Sequence, residues 1–270
     1  QLDSGELSRI TATNLNFGDE TSKDIDVRAV ATGNSDGISG TVVLNAISNG
    51  AKIVFNDVAH FGALEANADD GITLDADVYT DVGDLALNAD VDDSADTSDI
   101  LINNNVIVDS SRDIIISQDS TKDIGGSGAK YYADNDFILN DNINISAQLD
   151  IITDADGNGA GEFTLASGKS INTGGNTFNL KANDIFLNGT VNTGVGTVNI
   201  DVSDFGTIGL GDANAGLDLS SAELTNITAE YLNIGSGLLN STIYLNNVLS
   251  GSTDNIAEHV TLEAMKDNAQ

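Results

Sequence analysis

The amino-acid sequence predicts an elongated all-β protein, a parallel β-helix or β-solenoid that forms a single domain over residues 1–270. Three observations predict this class. Short alternating apolar triplets recur along the whole chain, the composition favours turns over helices, and a segment near the start of the chain returns near its end. Internal repetition is typical of solenoids, in which each repeat buries its apolar face by stacking on the next one.

The triplets predict the strands. In each triplet two apolar residues flank a middle residue, and Asn, Asp, Gly, Ser or Thr lie on either side. Alternation with a period of two places both apolar side chains on one face of a strand, and the polar flanks bend the chain after it. The predicted strand triplets are residues 25–27, 42–44, 53–55, 72–74, 85–87, 100–102, 114–116, 137–139, 143–145, 163–165, 178–180, 198–200, 208–210, 217–219, 243–245 and 260–262.

Two architectures contain many short strands, the sandwich or barrel and the parallel solenoid. The solenoid is favoured because the strands outnumber those of one sandwich, and because Asn-Gly hairpin turns such as 188–189 are not the rule. Neighbouring segments also resemble each other, as residues 72–78 and 85–91 do. Rungs of about 20 residues, stacked about 4.8 Å apart, would place like residues above like. The absence of Pro fits, since interior strands must donate their N–H groups to a neighbour.

The internal repeat joins the two ends of the sequence. Residues 6–18 and 223–235 agree at eight of thirteen positions, and with one residue inserted the match continues, so that residues 1–50 recur at 218–268. The chain therefore holds one long unit and the opening of a second copy. This arrangement predicts continuation by stacking, either within one very long chain or between chains as a filament.

The composition favours turns and excludes two classes of partner. Of the 42 acidic residues 34 are Asp, which suits turns, and 28 Gly add to the same chemistry. Lys and Arg total only 10, so that the formal net charge is −32. Nucleic acids and anionic lipids both require a basic protein surface for binding. In addition, no apolar run in the sequence approaches the roughly 18 residues that a membrane-spanning helix needs. We therefore predict neither nucleic-acid binding nor membrane insertion.

An acidic turn predicts calcium as the one candidate cofactor. Asp154, Asp156 and Asn158 follow the spacing of a calcium loop, and Glu162 occupies its ninth position. Leu165 stands at the twelfth position, where a bidentate Glu is expected. The alternative is an acidic turn between two strands. The acidic segment 92–99 is interpreted as a solvated loop.

Tyr131 and Tyr132 are the predicted binding residues. They form an exposed pair in an irregular stretch, residues 118–136, which is interpreted as a projecting loop, and the rings could stack on a sugar. The alternative is a loop folded onto the solenoid wall. No catalytic residues are predicted, because the only histidines, His60 and His259, lie 199 residues apart and the chain has no Cys.

The matched segments also carry a resemblance to a known family. Their pattern, Glu-Leu-x-x-Ile-Thr-Ala-x-x-Leu-x-Ile-Gly at 223–235, and the runs at 163–176 and 182–194 resemble repeats of very large bacterial surface exoproteins of the filamentous-haemagglutinin-like kind. The resemblance implies export, often by two-partner secretion, and a right-handed parallel β-helix that serves as an adhesive rod. The secretion domain of that family carries a proline-containing motif. This chain has no Pro, so the resemblance implies an interior part of such an array.

These observations lead to one expected function and one alternative. The expected function is a non-catalytic structural or adhesive rod, secreted or displayed at the cell surface. Its expected partners are the protein itself, through end-to-end stacking or continuation of a longer array, and host or matrix glycans. The competing class is a parallel β-helix that binds or cleaves polysaccharides, which requires a groove with two carboxylates about 5–10 Å apart.

Overall fold

The structure, a computed structural model, describes residues 2–91, 99–103, 105–117, 123–126, 128–236, 240 and 242–264. The chain divides into two compact units, residues 1–130 with 140–142 and residues 131–139 with 143–270. Most of the acidic segment 92–99, interpreted as a solvated loop, lies outside the described residues. Neither helix found within these ranges is long and apolar enough to cross a membrane.

The first unit consists of short strands on three faces. Its elements in chain order are β1 (Leu2–Asp3), α1 (Ser4–Leu7), β2 (Leu15–Asp19), β3 (Ile25–Arg28), β4 (Val42–Ala46), β5 (Ile53–Phe55), β6 (Ala59–Phe61), β7 (Leu64–Ala68), β8 (Ile72–Leu74), β9 (Val78–Thr80), β10 (Leu85–Asn88), β11 (Ile100–Ile102), β12 (Ile107–Ser110), β13 (Ile114–Ser117) and β14 (Gly125–Gly126). They form three sheets with the orders β1-β3-β5-β8-β11-β14, β2-β4-β7-β10-β13 and β6-β9-β12.

Neighbouring strands in a sheet belong to successive turns of the chain. Val42 pairs with Leu64, 22 residues later, and Leu64 pairs with Leu85, 21 residues later. All the strand pairings described in this unit are parallel. A chain that returns to the same face in the same direction after each turn is a parallel solenoid, so the predicted fold class is confirmed.

The core of the first unit lies inside the coil. In β5 the side chains of Ile53 and Phe55 are fully buried, while Val54 between them is partly exposed. The same alternation holds in β4, where Val42 and Leu44 are buried. Successive side chains of a strand point to opposite faces, so one row of each sheet faces inward and stacks on the rows of adjacent rungs. Full burial of such a side chain contributes about 1.5–3 kcal/mol.

The second unit repeats this construction. Its elements in chain order are β15 (Lys130–Ala133), β16 (Phe137–Leu139), β17 (Ile143–Asn144), β18 (Leu149–Ile152), β19 (Glu162–Leu165), β20 (Ser170–Asn172), β21 (Phe178–Ala182), β22 (Asp184–Leu187), β23 (Thr190–Asn192), β24 (Thr197–Val202), β25 (Thr207–Gly211), β26 (Leu217–Leu219), α2 (Ser221–Thr225), β27 (Ile227–Ile234), β28 (Thr242–Asn246) and β29 (Ile256–Leu262). The strands follow each other as β16-β19-β22, β17-β20-β23-β27, β15-β18-β21-β24-β27-β29 and β26-β25-β28.

Tyr131 corrects one sequence prediction. The stretch that contains it was expected to project as a loop with two exposed tyrosines, but residues 130–133 form β15 and Tyr131 is only 1% exposed. The reason is the alternation of β15, which turns Tyr131 and Ala133 inward. The Tyr131 ring stacks on Phe137 at 5.0 Å between ring centres, and Phe137 lies 5.8 Å from Phe163. Burial raises the pKa of the Tyr131 phenol far above its usual value.

Helix α2 covers one sheet edge in the second unit. Ser220 and Glu223 form a capping box, in which the Ser220 hydroxyl accepts from the Glu223 N–H and the Glu223 carboxylate accepts from the Ser220 N–H. The same carboxylate accepts from the N–H of Leu187 in β22 at 3.1 Å, and Asn226 donates to the Leu187 carbonyl at 2.7 Å. The outer backbone groups at the end of β22 are thereby bonded to the helix rather than to another strand.

Candidate functional site

The predicted calcium residues lie partly together. Asp154, Asp156 and Asn158 share one tight turn after β18, and their oxygens are hydrogen-bonded within the second unit. Asp154 is fully buried; its carboxylate accepts from the Gly159 N–H at 3.0 Å and from the Ser203 hydroxyl. Asp156 accepts from the Asn158 N–H at 3.2 Å and from its side-chain amide at 2.8 Å. These bonds close the turn around its own polar groups.

Glu162 stands apart from that turn. It begins β19, where its neighbour in β22 is Asp184. Burial, followed by the nearby carboxylates of Asp136 and Asp184, raises the pKa of Glu162. In the part of the chain that the structure describes, no group of three or more His, Cys, Asp or Glu residues could hold a metal ion. Calcium binding by Asp154, Asp156, Asn158 and Glu162 stays a prediction.

Of the two predicted binding tyrosines, only Tyr132 points away from the core. Its side chain is partly exposed on the outer face of β15, whereas Tyr131 is part of the aromatic stack described above. A sugar cannot reach the Tyr131 ring without displacing that stack. Sugar binding at Tyr132 stays a prediction.

A groove that the sequence analysis missed runs over the outer face of the second unit. It has a volume of about 600 Å³ and crosses strands β18, β21, β24, β27 and β29. A ladder of side-chain amides forms its floor. Asn179 donates to Asp150 at 2.6 Å, Asn199 donates to Asn179 at 2.7 Å, and Asn233 donates to Asn199 at 2.8 Å. Each Asn is the middle residue between two apolar residues, which is the signal that could have revealed the ladder.

The groove carries charged groups of both signs beside the ladder. Lys181 and Asp201 are paired neighbours in β21 and β24, and Glu263 lies at the same wall. Burial raises the pKa of Asp201, the nearby Ser236 hydroxyl and Lys181 lower it, and Glu263 raises it. None of the described residues that line the groove is aromatic. A carboxyl group with a raised pKa in a groove is what a glycan-cleaving alternative would use as its acid.

The strands β28 and β29 form what we call the uncovered rung. Each lies at the edge of its sheet, with a described neighbour on one side only, β25 for β28 and β27 for β29. Leu245 is 61% exposed and Leu262 is 39% exposed, although both occupy inward positions in register with buried residues, Leu210 and Ile234. Val248 and Leu249, between the two strands, are exposed as well. This end of the second unit is therefore an apolar surface bordered by two strand edges.

The matched segments of the sequence explain this exposure. In the first unit, Leu44 of β4 pairs with Phe17 of β2; in the second, Leu262 of β29 pairs with Ile234 of β27 at the equivalent positions. Leu44, however, is fully buried, because β7 lies on its other side. Among the described residues, the same sequence pattern is thus covered by a further rung in the first unit and not in the second.

The parallel coil of short strands defines the class of the protein, an all-β parallel solenoid. No protein-family model, no curated protein and no solved structure matches the chain.

Proposed function

We propose that the protein is a non-catalytic structural rod, extended by stacking of further rungs on the uncovered rung. The observation that carries the proposal is the exposure of inward-facing leucines at positions equivalent to buried ones, such as Leu262 and Leu44. An apolar surface bordered by strand edges is a template for a further parallel strand. Each added rung would continue the apolar ladders and bond the free edge of the rung before it.

The location and partners are part of the same proposal. The repeats resemble those of filamentous-haemagglutinin-like exoproteins, and on that basis we assign the rod to a secreted or cell-surface protein of the adhesive kind. Its partners are further rungs of the same type and, along its sides, host or matrix glycans. The net charge of −32 supports solubility and opposes side-by-side packing of equal rods, which leaves the nearly uncharged uncovered rung for association.

Electron microscopy of the purified protein, with added calcium and with a chelator, tests the rod. We expect short rods or filaments with an axial repeat of about 4.8 Å. Compact particles without that repeat, in both conditions, would contradict the proposal.

Sedimentation of matched variants tests the role of the uncovered rung. Leu245→Asp places a charge on the inward face of β28, and Tyr244→Asp places the same charge on its outer face. Any association of the unmodified chain should be lost in Leu245→Asp and kept in Tyr244→Asp. Equal loss in both variants would assign the association to general charge rather than to this surface.

A second candidate function is polysaccharide binding or cleavage in the groove. The observation that favours it is the raised pKa of Asp201 beside the amide ladder. Release of reducing ends from a panel of neutral and acidic polysaccharides, measured for the protein and for Asp201→Asn, tests it. Activity lost in the variant would support cleavage, and no release from any polysaccharide would remove it.

A further inference from the structure

We propose that the uncovered rung is a docking site for one kind of partner, a parallel rung with the sequence chemistry of residues 51–68, held in the register that β5 and β7 adopt. The inference rests on the proposed function, because it names what the rod adds at this surface. It goes further by fixing the partner's pattern of side chains and its alignment.

The first unit shows how this surface is covered when a further rung is present. Strand β5 lies on β3, with Ile53 on Ile25 and Phe55 on Val27. Strand β7 lies on β4, with Leu64 on Val42 and Ala66 on Leu44. Under this cover the four inward residues Ile25, Val27, Val42 and Leu44 are at most 3% exposed.

The uncovered rung presents nearly the same surface. Its inward residues, with numbers higher by 218, are Ile243, Leu245, Val260 and Leu262, and three of the four are identical to their counterparts. Only Leu245 differs, where the first unit has Val27. A rung that fits β3 and β4 therefore meets the same pattern of side chains on β28 and β29.

The backbone hydrogen bonds of the first unit indicate how the partner rung would bond to β28 and β29. In the first unit the Ile25 N–H donates to the Lys52 carbonyl at 2.8 Å, and the Val42 N–H donates to the Ala63 carbonyl at 3.0 Å. Their counterparts, Ile243 and Val260, stand on strands that end their sheets in the described structure. We infer that these N–H groups donate to the incoming rung in the same way. Parallel strands alternate the side on which each residue bonds, so a shift by one residue would lose both the bonds and the apolar contacts.

The repeat also argues against the first rung of a second copy as the occupant. The segment equivalent to β2 in the second unit is the later part of β27, which lies on β24 with Leu232 on Val198 and Ile234 on Ile200. A segment of the β2 type is thus received by a strand of the β24 type. Strand β29 is of the β4 type, and the structure pairs that type with β7.

Disulfide trapping tests the register, and the chain is suited to it because it has no Cys. The full-length Leu245→Cys variant is mixed, under oxidised glutathione, with synthetic peptides of residues 47–70 that carry Phe55→Cys or Val54→Cys. Residues in register on neighbouring strands lie about 4.8 Å apart, within the range that a disulfide spans. Because residue 54 points to the opposite face, we expect the residue-55 peptide to cross-link about tenfold faster or more.

The Tyr244→Cys variant is the matched control. In the first unit the counterpart of Tyr244 is Asp26, which pairs with Val54. This variant should therefore prefer the residue-54 peptide, reversing the order seen with Leu245→Cys. The reversal also excludes a difference in peptide reactivity as the cause.

Two results would overturn the inference. One is equal cross-linking by both peptides in both variants; the other is preferential formation of 245–245 dimers between full-length chains, which would make a second copy the occupant. Microscopy separates this failure from failure of the rod. If microscopy shows rods but cross-linking shows no preference for a register, the proposed function stands and the docking site fails. If microscopy shows compact particles but cross-linking is specific for the register, the docking site stands and the rod fails.

Discussion

Replacing one leucine in each matched segment by alanine compares a covered rung with an uncovered one. Leu44 and Leu262 occupy equivalent positions, and each pairs with an apolar residue of the preceding rung, Phe17 or Ile234. Only Leu44 has a described partner on its other side, Ala66 of β7. The two substitutions thus remove the same atoms from surroundings that differ by one layer.

The expected losses of stability differ because the burial differs. Leu44 is 0% exposed, so Leu44→Ala leaves a closed cavity and should lower the free energy of unfolding by about 3 kcal/mol, within the usual span of about 2–5 kcal/mol. Leu262 is 39% exposed, and Leu262→Ala leaves no closed cavity. Its loss is limited to part of the transfer free energy, about 1 kcal/mol. The difference between the variants is therefore about 2 kcal/mol.

Urea unfolding followed by circular dichroism gives the total change, and hydrogen exchange assigns it to a unit. The second measurement is needed because solenoids do not always unfold in one step. Leu44→Ala should speed exchange in β2, β4 and β7, and Leu262→Ala only in β27 and β29. Equal losses for the two variants would refute the reasoning, because Leu262 would then have to be covered in solution.

Three further changes have defined outcomes. Gly235 has φ +82° and an added Cβ would meet the Glu263 carbonyl oxygen, so Gly235→Ala should cost more than about 1 kcal/mol in thermal unfolding, and clearly more than Gly50→Ala, which has a similar φ but open space. The pKa of Asp201 is raised in the folded state, so its protonation stabilises the folded protein. This stabilisation is complete at pH values below the ordinary pKa of 3.8 and is lost as the pH rises through the folded pKa. Asp201→Asn should therefore unfold at a higher temperature than the unmodified protein at neutral pH, and lose that advantage below 3.8; an unchanged difference would contradict this. If the acidic turn binds calcium, the ion should raise the unfolding temperature, and Asp156→Asn should abolish the rise. Because Asp156 also accepts two hydrogen bonds from Asn158, the rise is measured against the calcium-free form of each protein.

In the first unit, the sequence predicts the strands of two faces better than those of the third. All sixteen triplets lie in or overlap strands, because their two inward residues are both apolar. The triplets do not include β6, β9 and β12, where an inward position is small or polar, as at Ala59, Thr80 and Ser110. The Thr80 hydroxyl donates to the Gly83 carbonyl at 2.7 Å, and its oxygen lies at hydrogen-bond distance, 2.9 Å, from the Ser110 hydroxyl. Its burial is supported by these bonds, which a search for apolar alternation cannot detect.

The middle Asn residues mark individual strands, but the sequence does not show which strands are neighbours, because the residues of the groove meet only through the register. Asp150 and Asn179 are 29 residues apart, Asn179 and Asn199 are 20 apart, and Asn199 and Asn233 are 34 apart. These unequal spacings reflect turns of different length between rungs, which vary freely on the surface. Tyr131 was misplaced for a related reason, since the Gly-rich residues before it hide the alternation of a four-residue strand.

The carboxylate of Glu223 distinguishes the sheet edge formed by β22 from the edges formed by β28 and β29. It accepts a hydrogen bond from the Leu187 N–H at the end of β22, so this donor is not available to a further strand on that sheet. Strands β28 and β29 each have a described neighbour on one side only, and the proposed stacking would take place there. Under the proposed function, one side chain of the five-residue helix α2 would thus help to keep added rungs away from β22.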